Sequence, residues 1–159
     1  MTQVLLMLSL FAAVTFNNCN HTSDKGPMTA KQYVSLLKAN KYPKYDLVPA
    51  LRPADIAVLI QHVNDEQVID NYPIPAMSAA QHGPQQVGMI VLYTIESIRL
   101  ERKQGASTRP YISDTADPKR RPSLQEVAPY YVRWWEHHKD NDAAALKQSS
   151  PLAGTTLTW

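Results

Sequence analysis

Glu96 and Arg99 are the charged residues whose surroundings most invite chemistry. At helical spacing Glu96 has Met89, Leu92, Tyr93 and Leu100 for neighbours. A carboxylate among such groups loses water and must find a partner. Arg99, three residues on, can reach it along one helix face. The functional reading is a general acid or a ligand-binding carboxylate, with Tyr93 in support. The structural reading is a buried ion pair that fixes helix packing. With no second acid or nucleophile beside Glu96 on that face, the structural reading is favoured.

Tyr130, Tyr131, Trp134 and Trp135 form the second constellation, on one helix face with His138. Exposed aromatics at this spacing can stack on sugar rings or seat a partner peptide; buried, they are core, the commoner fate of such a stripe. Tyr130, Trp134, Trp135 and His138 therefore join Glu96 and Arg99 as possible binding residues, and no catalytic residue is assigned. The histidines are His21, His62, His82, His137 and His138. No two stand four apart, and adjacent His137 and His138 point to different helix faces, so no metal site is expected. Asp114 and Asp117 lack the Asp-x-Asp-x-Asp-Gly rhythm of a calcium loop. Gly-x-Ser-x-Gly, Walker and Gly-x-Gly-x-x-Gly patterns do not occur, and no cofactor is expected. Lys119-Arg120-Arg121 lies between prolines and reads as an exposed loop. The formal charge of +2 gives no reason to expect nucleic acid as a partner.

Cys19 is the one cysteine of the 159-residue chain. It cannot staple its own domain, so its position must explain it. Residues 4–16 form 13 apolar or small positions without a charge. A membrane span needs about 20, whereas a signal-peptide core has this length. Phe16-Asn17-Asn18-Cys19 comes directly after. An apolar core leading into a cysteine resembles a bacterial lipoprotein signal, in which the cysteine becomes the first mature residue and carries the lipid. Asn18 departs from the usual small residue before the cysteine, and Met-Thr-Gln lacks the usual basic start. Plain secretion and a buried helix are the alternatives. The polar stretch 20–27 ends in Gly-Pro and reads as a tether. The expected organisation is a signal peptide over 1–18, a lipidated Cys19 and tether over 19–27, and one helical domain over 28–159. The expected location is the cell envelope, with the membrane contacted through the lipid.

The elements that must position these residues are mostly short helices. Twelve prolines against five glycines favour helices that stop at stiff loops. Thr29 with Gln32 forms a capping box for a helix burying Tyr33, Leu36 and Leu37 and ending near Asn40. Pro53 and Asp55 suit the first turn of a second helix, with Ile56, Leu59, Ile60 and Val63 inward. A brief further piece is expected over 66–70. The span 87–100 is apolar nearly all round, opened by Pro84 and closed before Gly105, and is expected at the middle of the domain. Residues 104–122 hold no helical pattern; 109–113 can be a short extended piece. Ser123 with Glu126 makes a second capping box, opening the aromatic helix, which Pro129 should kink or restart. A short helix is expected over 141–148, then a strap laid on the core by Leu152, Leu157 and Trp159. The fold class is all-α: about five short helices around a central apolar one, with little or no strand.

Leu51-Arg52-Pro53-Ala54-Asp55-Ile56, Tyr93-Thr94-Ile95-Glu96-Ser97-Ile98-Arg99, Tyr130-Tyr131-Val132-Arg133-Trp134-Trp135-Glu136 and the tail Ser150-Pro151-Leu152 together resemble a family of small lipoproteins of Bacteroidota whose domain has no assigned function. The resemblance implies a helical domain at the cell envelope and brings no functional residue with it. The expected role is non-enzymatic binding or accessory work, with a protein or carbohydrate partner. The alternative is an enzyme of unrecognised class using Glu96 with Arg99.

Overall fold

The computed structural model describes residues 27–159. The apolar run, Cys19 and all of the tether before Pro27 lie outside the described residues. The described region is mostly helical, with six α-helices and two small antiparallel strand pairs.

Helix α1 (Ala30–Lys38) starts where both halves of the Thr29–Gln32 capping box form: Gln32 N–H donates to Thr29 Oγ1 at 3.3 Å, and Thr29 N–H to Gln32 Oε1 at 2.9 Å. It buries Ala30, Tyr33, Val34 and Leu37. It ends on Asn40, whose φ of 53° is the left-handed turn that asparagine tolerates. Lys41 N–H reaches back to Leu36 C=O at 2.8 Å to close the last turn. Asn40 Oδ1 also accepts the N–H groups of Asp70 and Asn71, each at 2.9 Å. One side chain thus ends the helix and holds a segment 30 residues away.

The second helix is less regular than its apolar spacing predicts. A 3₁₀ turn (Pro53–Asp55), four α residues (α2, Ile56–Leu59) and another 3₁₀ turn (Ile60–His62) succeed one another, burying Ile56, Leu59 and Val63. The piece over 66–70 is extended rather than helical: β1 (Val68–Ile69) pairs with β2 (Gln85–Gln86). Between them lies α3 (Ala76–Ala79), started by Pro75 and too short to show a period in the sequence.

Helix α4 (Val87–Arg99) is buried at every one of its 13 positions, the central helix its composition predicts. It begins three residues after Pro84, because Gln85 and Gln86 are used in the strand. Its end turns on Glu101, with φ 56°, and not on Gly105. The segment after it leads to β3 (Ser113–Asp114), which pairs with β4 (Leu157–Thr158) in the tail. Two residues per strand carry no alternation, so the sequence cannot announce them, and the expectation of almost no strand is loose by these two pairs.

Helix α5 (Leu124–His138) runs through Pro129 without a break or restart. Proline removes one N–H, which leaves the carbonyl of Gln125 without its helical donor. Gln125 is exposed, so water can take that place. Only half of the second capping box forms. Ser123 Oγ accepts from Glu126 N–H at 3.3 Å, but the Glu126 carboxylate turns to Arg120 instead. Helix α6 (Ala143–Gln148) is capped by Asp142. The tail then crosses the core as a strap, with Leu152 and Leu157 buried. One apolar cluster extends from Ala30 to Leu157.

Candidate functional site

Glu96 and Arg99 meet inside the protein. They are 6% and 7% exposed. Arg99 grips both carboxylate oxygens, Nε to Oε2 at 3.0 Å and Nη2 to Oε1 at 2.5 Å. Its remaining amino group, Nη1, donates to the carbonyls of Lys147 and Ser149, both at 2.7 Å. Tyr131 Oη lies 3.5 Å from Glu96 Oε2 and accepts a hydrogen bond from Trp159 Nε1 at 2.7 Å. Burial, then the charge of Glu96, pushes the Tyr131 phenol well above its ordinary value, so it stays a neutral hydroxyl. The fork therefore clamps α4 to α5, to the end of α6 and to the tail. Neither Glu96 nor Arg99 lines any of five well-formed clefts of the described residues. A buried carboxylate held on both oxygens is positioned to hold helices together.

The aromatic stripe divides. Tyr131 and Trp134 are core. Trp134 Nε1 donates to Ser149 Oγ at 2.8 Å, and its indole stacks on His138 with centroids 5.7 Å apart. Trp135 and Tyr130 are half-buried at the rim, with Arg133 5.1 Å over the Tyr130 ring. His137 and His138 donate Nδ1–H to the carbonyls of Arg133 and Trp134, at 2.7 and 2.8 Å, and so finish the helix. These contacts account for Trp134 and His138 structurally. Tyr130, Trp134, Trp135 and His138 line none of these five clefts of the described residues. Among the described residues, no three of His, Cys, Asp and Glu gather to hold a metal.

The structure instead opens a polar cleft of about 610 Å³ elsewhere. The α3–β2 loop supplies His82, β2 supplies Gln85, the segment before β3 supplies Thr108, Arg109 and Tyr111, and the basic triplet supplies Arg121. Sequence reasoning singles out none of these six as a site residue. Three segments distant in sequence meet there, and no spacing joins them. Tyr111 is the hub: the His82 ring meets it edge-on at 5.6 Å, and the Arg121 guanidinium lies 4.7 Å over its face.

Neighbouring Arg120 and Arg121 have opposite roles. Arg120 Nη1 pairs with Asp114 Oδ2 at 2.6 Å and its Nη2 with Glu126. The Thr156 hydroxyl, the Arg120 guanidinium and the Ala116 N–H hold the Asp114 carboxyl down to about 2. A depressed carboxyl contributes stability above its unfolded value, near 4, and loses it as pH falls through the folded one. Asp114→Asn should therefore be less stable than the native chain at pH 5. The gap between their urea midpoints should close as pH falls from about 4 to about 2. A gap of constant size across that window would separate Asp114 from the acid response.

No curated protein and no solved structure matches the chain. A family model covers residues 24–159, from just before the first helix to the last residue of the strap, and the chain belongs to that family, a domain of unknown function (DUF4943).

Proposed function

We propose that the chain is an exported domain, anchored at the cell envelope by a lipid on Cys19, which binds a ligand or partner and carries out no chemistry of its own. One observation carries the location: the lone cysteine stands three residues after an uncharged apolar run too short to span a membrane. The likeness to small lipoproteins of Bacteroidota supports it. So does the order of parts, since the polar tether ends just before the Thr29 cap that starts the fold. Among the described residues no helix is long and apolar enough to cross a membrane. The binding role is supported by the open polar cleft. The enzyme reading based on Glu96 and Arg99 loses support, because the pair is buried and Arg99 holds both oxygens of the carboxylate.

Growth of a bacterium producing the full chain with labelled palmitate tests the anchor. Label should enter the protein in the membrane fraction, and Cys19→Ala should abolish the label. An unmodified full-length chain in the cytosol, or an unlabelled shortened chain in the medium, would each overturn it.

A further inference from the structure

We propose that the cleft around His82, Arg109, Tyr111 and Arg121 binds a small oxyanion-bearing solute: a carboxylate or phosphate carried on a hydroxyl-rich body. The inference rests on the reading of the chain as a binding domain and is independent of the fate of Cys19.

Charge comes first. Arg52, Arg99 and Arg120 each have a carboxylate partner. Arg109 and Arg121 have none among the described residues, and both line the same cleft, with His82 and without any acid. Asp114 and Glu126 are taken by Arg120. Two cationic groups facing one concavity raise the local concentration of anions.

An exposed arginine is ordinarily a solvated, mobile one, but Arg121 is not free to wander. Its Nη1 donates to the carbonyls of Pro118 and Arg120, at 2.9 and 3.1 Å, while the guanidinium rests on the Tyr111 ring. Nη2 and Nε have no acceptor among the described residues. A planar fork fixed in place loses little freedom when it meets an oxyanion. Arg109 is the complement, an exposed side chain lining the same cleft.

The walls are fixed from below. Tyr72 Oη donates to Gly83 C=O at 2.8 Å, holding the α3–β2 loop. Tyr93 Oη donates to Ser107 C=O at 2.8 Å, and Ser107 Oγ in turn accepts from Arg109 N–H at 2.9 Å. Both tyrosines are core residues, 3% and 1% exposed. The shape of the cleft is thus set by the core, as a pre-formed site requires. Its volume lies within the range of about 300–1,000 Å³ usual for small-molecule sites. Ser78, Gln81, Gln85 and Thr108 add neutral donors and acceptors suited to hydroxyl groups.

Calorimetric titration of the detergent-purified full chain at low salt tests the proposal. The probes are galacturonate and glucose 6-phosphate, with galactose and glucose as neutral counterparts. At least one anionic probe should bind, its neutral counterpart about tenfold or more weakly. Galacturonate alone would identify a carboxylate ligand, glucose 6-phosphate alone a phosphate. Arg109→Gln should weaken binding about tenfold with an unchanged unfolding midpoint, since this side chain makes no hydrogen bond or ion pair among the described residues. Arg121→Gln should weaken it further. Equal binding of neutral and anionic probes, no binding of either anion at millimolar concentration, or an Arg109→Gln variant of unchanged affinity would each overturn the proposal. None of these results bears on the palmitate label.

Discussion

Glu96→Leu should lower the stability of the folded chain by about 3–5 kcal/mol, one of the largest effects any single side chain here can produce. The substitution leaves Arg99 charged and buried with its grip on the carboxylate gone. Water cannot reach it well at 7% exposure. For a domain of this size the loss corresponds to a fall in Tm of roughly 10–20 °C. Arg99→Met should be comparably harmful. It strands the carboxylate and also frees the carbonyls of Lys147 and Ser149, which anchor the end of α6. The double variant, Glu96→Leu with Arg99→Met, should lose much less than the sum of the two, because no isolated charge remains. It should not return to native stability, because two carbonyls have still lost their donor. Urea unfolding of the four proteins measures the coupling directly. Single variants within about 1 kcal/mol of the native chain would place this pair with ordinary surface ion pairs and remove its role as a clamp.

The residues of that clamp were legible in the sequence because one helix contains both of them. Spacing of three along a helix is a local fact, and an acid beside Met89, Leu92 and Tyr93 must be desolvated wherever the helix goes. The Thr29–Gln32 cap, the all-round apolar α4 and the strap of Leu152, Leu157 and Trp159 were legible for the same reason. What local spacing leaves undecided is settled by other parts of the chain or by solvent. Ser123 and Glu126 have capping-box spacing, but Arg120 competes for the glutamate and wins with a charged hydrogen bond. Pro129 has the local signature of a kink or restart, yet α5 does not restart there, because the carbonyl that loses its donor belongs to exposed Gln125. Trp134 is core, the commoner fate of such a stripe, and the Ser149 hydroxyl and the packed tail show which member of the stripe takes it. The basic triplet looks uniform until Asp114 and Glu126 select Arg120 and leave Arg121 to the cleft. The cleft itself combines residues 78–85, 108–111 and 121, and nothing in any one of those pieces names the other two.

Gly88→Ala should be destabilising by about 2–4 kcal/mol, against what helix propensity alone predicts. Alanine in a helix interior is favoured over glycine by about 1 kcal/mol, and Gly88 is the second residue of α4. The added methyl group, however, would lie 2.6 Å from the Val63 carbonyl oxygen and 2.6 Å from Leu124 Cδ2. A buried leucine tip can shift by a rotamer, whereas a backbone carbonyl cannot move without its chain. That chain is tied to the same helix start: Gly88 N–H donates to Asp65 C=O, and Val87 N–H to Gln67 C=O, both at 2.8 Å. Backing α4 away from Val63 would therefore stretch the two bonds that bring it there. It would also strain the β1–β2 pairing one residue further on. Gly83→Ala is the control, because nothing lies within 4 Å of its added carbon and its stability should change by no more than about 0.5 kcal/mol. Since Gln85 and Gln86 precede α4 directly, a displaced helix start would also move the Gln85 wall of the cleft. Gly88→Ala should accordingly weaken anion binding without touching either arginine. A Gly88→Ala protein as stable as the native one would mean that α4 crosses Val63 at a greater distance. The tight helix crossing would then cease to explain why this position is glycine.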